Sequence, residues 1–458
     1  MRRRLTRWAL AVAAVIAAIV LGAGLLLLAM PPEKLLVVNG YSAKTVCSNV
    51  FIAHRKAEQV LALDVQAPGH PLLKFVRLTV DEDNRMVTAR FLGLIAPARA
   101  IYRDGYGCAA VPGGNIAAAR EAVPESQPPL PPAPQGIWPD GEDTGNDIDP
   151  ALQAVVADTA LTGPEMRAVV VAHGGRIAAE TYGAGFDKDT AMVGWSMTKT
   201  LNAVIIGRLM QEGMIGFTAT DLLPEWRNDD RAGISLAALL SMEPGLAFNE
   251  DYGDVSDVTR MLYLEPDMAG FAASKPLVSK PGDDFNYSTG TSLILSRVWM
   301  SRFADPADAR AYPRETLFAP IGMRSAVFEA DASGTLVGGS YLYATARDWA
   351  RFGLLLARDG MWNGNRLLPE DFMAALRQKN SASSGRYSRA QSWLVPPYSG
   401  GGPDKELPED TFWAQGHDGQ SIAIVPSKDL VVVRMGLTPG KLRYRPQHLV
   451  KAIIDQLD

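Results

Sequence analysis

Cysteine and histidine are scarce in this sequence, whose 458 residues include only two cysteines and five histidines. A structural zinc site or an iron–sulfur cluster needs several such ligands at close spacing, so both are disfavoured and we expect no metal or other cofactor. Lysine and arginine form no block beyond residue 7, and the net charge is −5. Nucleic-acid binding requires a clustered basic face, so that class of function is disfavoured too.

Long apolar runs are also missing beyond residue 30, so no later segment is expected to cross a membrane. At the N-terminus, in contrast, Arg2, Arg3, Arg4 and Arg7 precede the apolar run Trp8–Met30. As a helix this run would reach about 34 Å, enough for a bilayer core. Arginines on the N-terminal side place that end in the cytoplasm. We therefore expect a single-pass anchor in the cell inner membrane, with the catalytic part exported to the periplasm.

A cleaved signal peptide is the alternative interpretation of residues 1–30. Such a peptide normally has an apolar region of about 7–15 residues and an A-x-A-like cleavage site. Here Met30, Pro31 and Pro32 follow the run directly, without a recognisable cleavage site.

Both cysteines, Cys47 and Cys108, lie beyond the N-terminal segment. In an exported protein an even cysteine count favours a disulfide, whose loop of about 60 residues would contribute roughly 4 kcal/mol. Two buried free thiols are the alternative. We expect the bond to hold together a small α+β domain over residues 35–120, with alternating strands at Phe75–Val80 and Met86–Phe91.

The remaining chain divides into a linker and a large domain. Residues 121–150 contain eight prolines, which predicts an extended linker. The domain over residues 151–458 opens with a predicted hairpin (167–182) and closes with another (421–434), before a terminal helix at His448–Leu457. Long helical patterns lie between the hairpins. The expected fold class is α/β (α+β), an antiparallel sheet built from both chain ends with a large helical insertion.

The most informative motif is Gly194–Thr200 (GWSMTKT), after which apolar residues recur at helical spacing. Ser196 and Lys199 are three residues apart and so share a helix face. At the first helical turn, free N–H groups and the helix dipole favour negative charge and disfavour a second cation. Burial would add to this and lower the pKa of Lys199 toward the neutral amine that a general base needs. The motif alone is weak, and an exposed lysine beside an N-capping serine is the alternative.

Two further segments accompany this motif. Tyr287 follows a Pro-Gly turn and precedes an apolar helix predicted at Leu293–Trp299, and Gly416–Gln420 (GHDGQ) leads into the closing hairpin. Ser-x-x-Lys, then Tyr, then (Lys/His)-x-Gly is the order found in penicillin-recognising serine hydrolases. From about 150 to 440 the chain thus resembles the serine β-lactamase-like superfamily, in particular class C β-lactamases, esterases and 6-aminohexanoate-dimer hydrolases.

The resemblance implies roles for the residues of these motifs. Ser196 would be the nucleophile, Lys199 its base, and Tyr287 the proton relay to the leaving group, with a hydroxyl pKa lowered by the nearby lysine. The oxyanion hole would consist of the backbone N–H groups of Ser196 and Gln420. An acyl-enzyme would form and then be hydrolysed by water.

For substrate binding the resemblance implies His417, Gly419, Tyr252 and Thr289. Gly419 would let the substrate approach the strand closely, and Tyr252 occupies a position where nylon-oligomer hydrolases place a substrate-contacting tyrosine. Thr289 stands where the family commonly has Asn, and His417 stands where penicillin-binding members have Lys. A neutral histidine attracts a carboxylate poorly at pH 7. Both departures favour an ester or amide hydrolase over an efficient β-lactamase or peptidase.

The sequence therefore predicts a membrane-anchored serine hydrolase that acts on a small-molecule ester or amide. Two alternatives remain open: a catalytically silent, penicillin-binding-like sensor or scaffold that uses the same pocket, and a peptidoglycan D,D-peptidase. The presence of Ser196, Lys199 and Tyr287 together favours the enzyme over the silent module, and the Lys-to-His departure opposes the peptidase.

Overall fold

The computed structural model describes residues 2–398 and 406–457. Its first helix, α1, spans Arg2–Ala29. Several of its described apolar side chains, such as Trp8 and Leu10, are exposed. Among the residues described, no helix is both long and apolar enough to cross a membrane. The transmembrane part of the prediction for residues 1–30 is therefore not supported by the described residues.

A small α+β unit follows, in which one long helix covers an antiparallel sheet. Its helices are α2 (Glu33–Phe51), α3 (Ala57–Val60) and α4 (Ile116–Glu121). Its strands, in the order β1-β2-β3-β4, are β1 (Val76–Asp81), β2 (Met86–Phe91), β3 (Ile95–Arg103) and β4 (Gly107–Ala110). The predicted disulfide is confirmed: Cys47 on α2 is bonded to Cys108 on β4, with their Cα atoms 6.1 Å apart. It fixes the helix to the edge of the sheet.

The proline-rich segment 121–150 lies against the large unit instead of spanning open solvent. The Trp138 side chain is fully buried. Arg351 donates hydrogen bonds to the carbonyl oxygens of Pro139 (2.8 Å) and Gly141 (2.7 Å). The prolines do limit regular secondary structure in the segment 121–150. The buried side chains of Trp138 and Arg351 nevertheless hold this segment against the large unit. The sequence pattern alone gave no indication of this packing.

The large unit combines helices with short and long strands. Its helices are α5 (Pro150–Ala157), α6 (Thr159–Thr162), α7 (Met197–Gln211), α8 (Leu236–Leu240), α9 (Asp257–Leu264), α10 (Met268–Ala273), α11 (Thr289–Met300), α12 (Pro306–Pro313), α13 (Ala319–Ile321), α14 (Ala346–Ala357), α15 (Glu370–Arg377) and α16 (Pro446–Leu457). Its strands are β5 (Met166–His173), β6 (Arg176–Tyr182), β7 (Met192–Val193), β8 (Val327–Phe328), β9 (Leu342–Ala344), β10 (Met361–Trp362), β11 (Asn365–Arg366), β12 (Phe412–Gln415), β13 (Ser421–Val425) and β14 (Leu430–Gly436).

The main sheet confirms the predicted antiparallel sheet built from both chain ends. Its order is β12-β13-β14-β5-β6, and β14 pairs with β5 so that Val432 lies opposite Val171. Alternate residues point to opposite faces of a strand, so Val170 joins the main core while Val169 joins a smaller core beneath α5 and α16. Both faces are thus covered by helices, which makes the sheet a rigid support for the residues at its edge.

Candidate active site

The Ser196 side chain lies at the start of α7, directly after the short strand β7. The Gly194 N–H donates to the carbonyl of Leu342 at 2.8 Å and so ties this turn to β9. Gly194 has no room for a side chain, because an added Cβ would come within 2.3 Å of the Trp349 ring. Trp195 adopts a positive φ of 46°, an unfavourable conformation for a bulky residue. The chain therefore turns sharply and brings Ser196 to the helix N-terminus.

Lys199 occupies the first turn of α7 and is 1% exposed. Its Nζ donates hydrogen bonds to Ser196 Oγ (3.2 Å), Thr289 Oγ1 (2.9 Å) and the Gly339 carbonyl (2.8 Å). Burial lowers the pKa of Lys199 to about 8, and the negative charge of Glu250 opposes this shift. The lysine is therefore oriented toward the serine hydroxyl and loses its proton more easily than an ordinary lysine.

Tyr287 lies beside this pair, in the loop before α11. The Lys199 Nζ is 5.1 Å from the centre of the Tyr287 ring, and the Tyr287 hydroxyl hydrogen-bonds to Ser196. The ring packs against Tyr387 and Trp393. Contrary to the expected lowering by lysine, burial raises the pKa of Tyr287 well above its ordinary value, although the bond to Ser196 opposes the shift. Burial raises this pKa because the phenolate would lose its hydration, and the negative charge of Glu250 adds to the shift.

Thr289 connects the lysine to a carboxylate that the sequence motifs did not assign. Its Oγ1 accepts a hydrogen bond from Lys199, donates to Glu250, and lies 3.1 Å from the Tyr252 hydroxyl. Its backbone N–H donates to the same carboxylate at 2.8 Å. The Thr289 side chain is fully buried and does not line the cavity. The structure thus places this threonine behind the cavity lining, where it links Lys199 to Glu250.

The two segments that carry the N–H groups expected to form the oxyanion hole pack closely against each other. Gly416 lies against Gly194, since a Cβ added to Gly416 would be 2.6 Å from the Gly194 carbonyl oxygen. The turn that follows ends at Gln420, whose carbonyl accepts a hydrogen bond from Gly416 at 2.8 Å. Within the described ranges neither the Ser196 nor the Gln420 N–H has a hydrogen-bond partner. Both donors are therefore available to a ligand.

Gly419 does not line the cavity. A Cβ added to it would face Arg434 and Tyr444 at 3.2–3.3 Å, and its φ of +79° shapes the turn before β13. Close contact with a substrate is instead possible at Gly416, which lines the cavity. In the structure Gly419 therefore allows the tight turn before β13.

His417 stands at the mouth of the cavity with its side chain 56% exposed. Its ring lies between Trp195 and Tyr252, with centroid distances of 6.1 Å to each. Its Nε2 is 3.4 Å from a carboxylate oxygen of Asp418, and burial raises the pKa of that carboxyl. The imidazole thus lies between two aromatic rings and lines the same cavity as Ser196.

The cavity has a volume of about 690 Å³. Its lining includes Ser196, Tyr252, Tyr287 and His417. Among the described lining residues there is no lysine or arginine, and Glu250 is the one carboxylate. Across the described ranges no group of three or more His, Cys, Asp or Glu side chains could hold a metal ion. The described lining therefore combines a serine hydroxyl and a tyrosine hydroxyl with mainly apolar side chains and a single carboxylate.

Several lining residues come from the first unit, which sequence reasoning had not connected with the site. They include Val37, Val38, Tyr41 and Leu73. A possible sequence signal for Glu250 was its position two residues before Tyr252. No local pattern indicated that α2 would reach the cavity, because that contact spans the two units.

The family model described as Beta-lactamase matches residues 160–449. A 6-aminohexanoate-dimer hydrolase from Paenarthrobacter ureafaciens is 23% identical over 302 residues, which cover 59% of this chain and 72% of the relative.

Two solved structures share the fold. One is the penicillin binding protein from Bacillus halodurans, with a TM-score of 0.51 and 17% identity, covering 67% of this chain and all of that one. The other is EstCE1, a hydrolase with promiscuous acyltransferase activity, with a TM-score of 0.52, 16% identity and coverage of 66% and 97%. Because the family model spans well over half of its length, the chain belongs to the beta-lactamase family and is a serine hydrolase with that family's fold.

Proposed function

We propose that this chain hydrolyses small neutral esters or amides through an acyl-enzyme on Ser196. The position of Lys199 carries the proposal: its Nζ lies 3.2 Å from Ser196 Oγ, and burial lowers its pKa to about 8. At pH 7 about a tenth of such lysines are uncharged, and an uncharged amine can accept the hydroxyl proton.

Acylation begins when neutral Lys199 takes the proton of Ser196 and Oγ bonds to the carbonyl carbon of the substrate. The carbonyl oxygen becomes an oxyanion and accepts hydrogen bonds from the N–H groups of Ser196 and Gln420. Collapse of this intermediate breaks the bond to the leaving alcohol or amine, which takes a proton from the Tyr287 hydroxyl. Tyr287 regains a proton from the Lys199 ammonium, and water then hydrolyses the acyl-enzyme by the reverse steps.

The raised pKa of Tyr287 suits it to this donor role. A phenol that remains protonated at neutral pH can give its proton to a leaving group only as that group becomes basic. Its hydrogen bond to Ser196 places the hydroxyl next to the bond that breaks. Glu250 stabilises the ammonium that Lys199 becomes, since Thr289 links the two groups by hydrogen bonds.

The preference for neutral substrates is supported by the charges of the cavity. A carboxylate moved into a partly dry cleft without a cation costs several kcal/mol. The described lining offers no lysine or arginine and contains the carboxylate of Glu250. The similarity to a 6-aminohexanoate-dimer hydrolase and to EstCE1, a hydrolase with promiscuous acyltransferase activity, also supports ester or amide chemistry.

The test is Ser196→Ala, assayed with p-nitrophenyl acetate and labelled with a fluorophosphonate probe. We expect labelling to disappear and kcat/KM to fall by several orders of magnitude. Ser274→Ala, which changes an exposed serine near α10, is the matched control and should retain both. Wild-type hydrolysis by Ser196→Ala would exclude the proposal, and so would a folded wild type that neither hydrolyses the ester nor takes the label.

We also propose that the protein is exported and held at the inner membrane through residues 1–30. The proposal is supported by the four N-terminal arginines, the apolar run Trp8–Met30 and the Cys47–Cys108 disulfide. After fractionation we expect the protein to stay with membranes through a carbonate wash, with its N-terminus intact. A soluble protein that begins near Pro31 would show a cleaved signal peptide instead.

A further inference from the structure

One wall of the cavity is formed by the first unit. Its contribution comes from one face of α2 and from the loop that leads to β1, and consists of Val37, Val38, Tyr41, Pro68, Gly69, His70 and Leu73. None of these side chains carries a fixed charge, and most are apolar. They share the cavity with Ser196 and Tyr287 of the large unit. The nucleophile therefore opens onto a mainly apolar surface from a different part of the chain.

Close backbone packing brings α2 to the cavity. A Cβ added at Gly40 would lie 2.8 Å from the Cβ of Tyr263 on α9, so only a glycine permits this approach. At the next residue, the Tyr41 ring meets the Tyr263 ring edge-on, with the ring centres 5.8 Å apart. Tyr41 and Tyr263 both line the cavity. The contact between the two units therefore continues directly into the lining.

Buried polar contacts fix this wall in position. Lys44 Nζ lies 2.6 Å from a carboxylate oxygen of Glu329, which also accepts hydrogen bonds from Ser48 Oγ (2.8 Å) and the Cys108 N–H (2.6 Å). The ion pair is almost fully buried. Asp64 forms a second link through its ion pair with Arg167 of β5. Since breaking a buried ion pair is costly, the wall is a permanent part of the cleft and not a loosely attached lid.

We infer that the first unit supplies an apolar subsite that selects the hydrocarbon chain on one side of the scissile bond. This inference rests on the proposed function, because it concerns the substrate of the same site. The substrate class is that of neutral esters or amides with a medium-length alkyl or acyl chain. A preformed apolar wall stabilises each added methylene by removing it from water, which raises kcat/KM about fourfold per buried carbon. The family model begins at residue 160, so this wall lies outside the matched range.

The experiment compares kcat/KM for p-nitrophenyl esters from acetate to octanoate, and for alkyl acetates with alcohols of the same lengths. Val37 is half-buried and lines the cavity, so Val37→Trp fills the subsite and Val37→Ala enlarges it. We expect Val37→Trp to lower kcat/KM for the longer chains at least tenfold in one of the two series, while short esters change less than threefold. Val37→Ala should move the optimum to a longer chain in the same series.

Val80→Trp is the matched control, because Val80 is a half-buried valine of the same unit on β1 that does not line the cavity. It should leave both chain-length profiles unchanged. Gly40→Ala is an independent variant. The added Cβ must push α2 away from Tyr263 on α9, although no residue of the cavity lining is substituted. We expect it to flatten the dependence on chain length.

Unchanged profiles in both Val37 variants, with an active wild type, would overturn the subsite and leave the proposed function standing. A wild type that hydrolyses no ester of either series would instead contradict the proposed function. The two failures are therefore distinguishable in one set of assays.

Discussion

The hydroxyl of Thr289 accepts a hydrogen bond of 2.9 Å from the amine of Lys199. The same hydroxyl donates to the carboxylate of Glu250, so one buried side chain joins the Lys199 amine to a negative charge. A threonine hydroxyl has one donor and two acceptor positions, and both kinds are used here. This relationship explains why threonine fits at a position where the family commonly has asparagine, and it determines how the site should respond to pH and mutation.

The first prediction concerns the pH profile. Burial lowers the pKa of Lys199 from 10.5 to about 8, and only the deprotonated amine can accept the Ser196 proton. We therefore expect kcat/KM for a neutral ester to rise with pH through a midpoint near pH 8 and to level off above about pH 9. The measurement is a kcat/KM profile from pH 5.5 to 10 with p-nitrophenyl acetate, corrected for spontaneous hydrolysis. A midpoint near pH 10, as for an exposed lysine, would contradict the assignment.

The second prediction concerns the effect of the Glu250 charge on the pKa of Lys199. Glu250→Gln removes this charge and nearly keeps the shape of the side chain. The glutamate charge raises the pKa of Lys199 against the effect of burial. Its removal should lower that pKa further and move the midpoint of the pH profile to lower pH. The amide oxygen can still accept the Thr289 hydrogen bond. Glu265→Gln, at the half-buried C-terminal end of α9, is the control and should leave the midpoint in place. A shift to higher pH in Glu250→Gln would show that the electrostatic argument is wrong.

The third prediction concerns the hydroxyl of Thr289. Thr289→Val keeps the shape but removes the hydroxyl that links Lys199 to Glu250. A hydrogen bond to a charged group contributes roughly 1.5–3 kcal/mol. We expect kcat/KM to fall about ten- to hundredfold in steady-state ester assays, with the overall fold retained by circular dichroism. Thr291→Val, two residues further along α11 and also buried, should change activity less than threefold. Equal activities of the two variants would exclude a specific role for the Thr289 hydroxyl.

The fourth prediction concerns the charge at the mouth of the cavity. Wild type should turn over a neutral p-nitrophenyl ester far better than nitrocefin, whose carboxylate finds no lysine or arginine among the described lining residues. His417→Lys places a permanent cation there and should shift the ratio of kcat/KM toward nitrocefin. His173→Lys, at the end of β5, is the matched control. Nitrocefin turnover equal to that of the ester by wild type would refute the substrate preference.

The fifth prediction concerns the contact between the two units. Lys44→Met removes one partner of a buried ion pair and leaves the Glu329 carboxylate uncompensated. Loss of one such partner costs about 3–5 kcal/mol in unfolding free energy. Urea unfolding followed by tryptophan fluorescence measures the change. Lys188→Met, which breaks an exposed pair with Asp189, should cost less than about 0.5 kcal/mol. An equally small loss in Lys44→Met would show that the contact does not fix the wall.

Features that depend on residues close in sequence were available from the sequence alone. Ser196 and Lys199 lie on one helix face because they are three residues apart, and α7 places them within hydrogen-bond distance. The two hairpins of the main sheet follow from alternating apolar residues around short turns, and the structure confirms both. The disulfide was predictable because the chain has only two cysteines.

Only the tertiary structure decided which distant side chains meet in the site and how deeply they are buried. The raised pKa of Tyr287 and the link from Thr289 to Glu250 depend on desolvation and on contacts between separate segments. The placement of α2 against α9, which lets the first unit form a wall of the cavity, depends on Gly40 meeting Tyr263. Local periodicity carries no information about such contacts, because they arise only when whole elements pack together. The sequence by itself determined that Ser196 and Lys199 lie side by side, and the folded chain determined their surroundings.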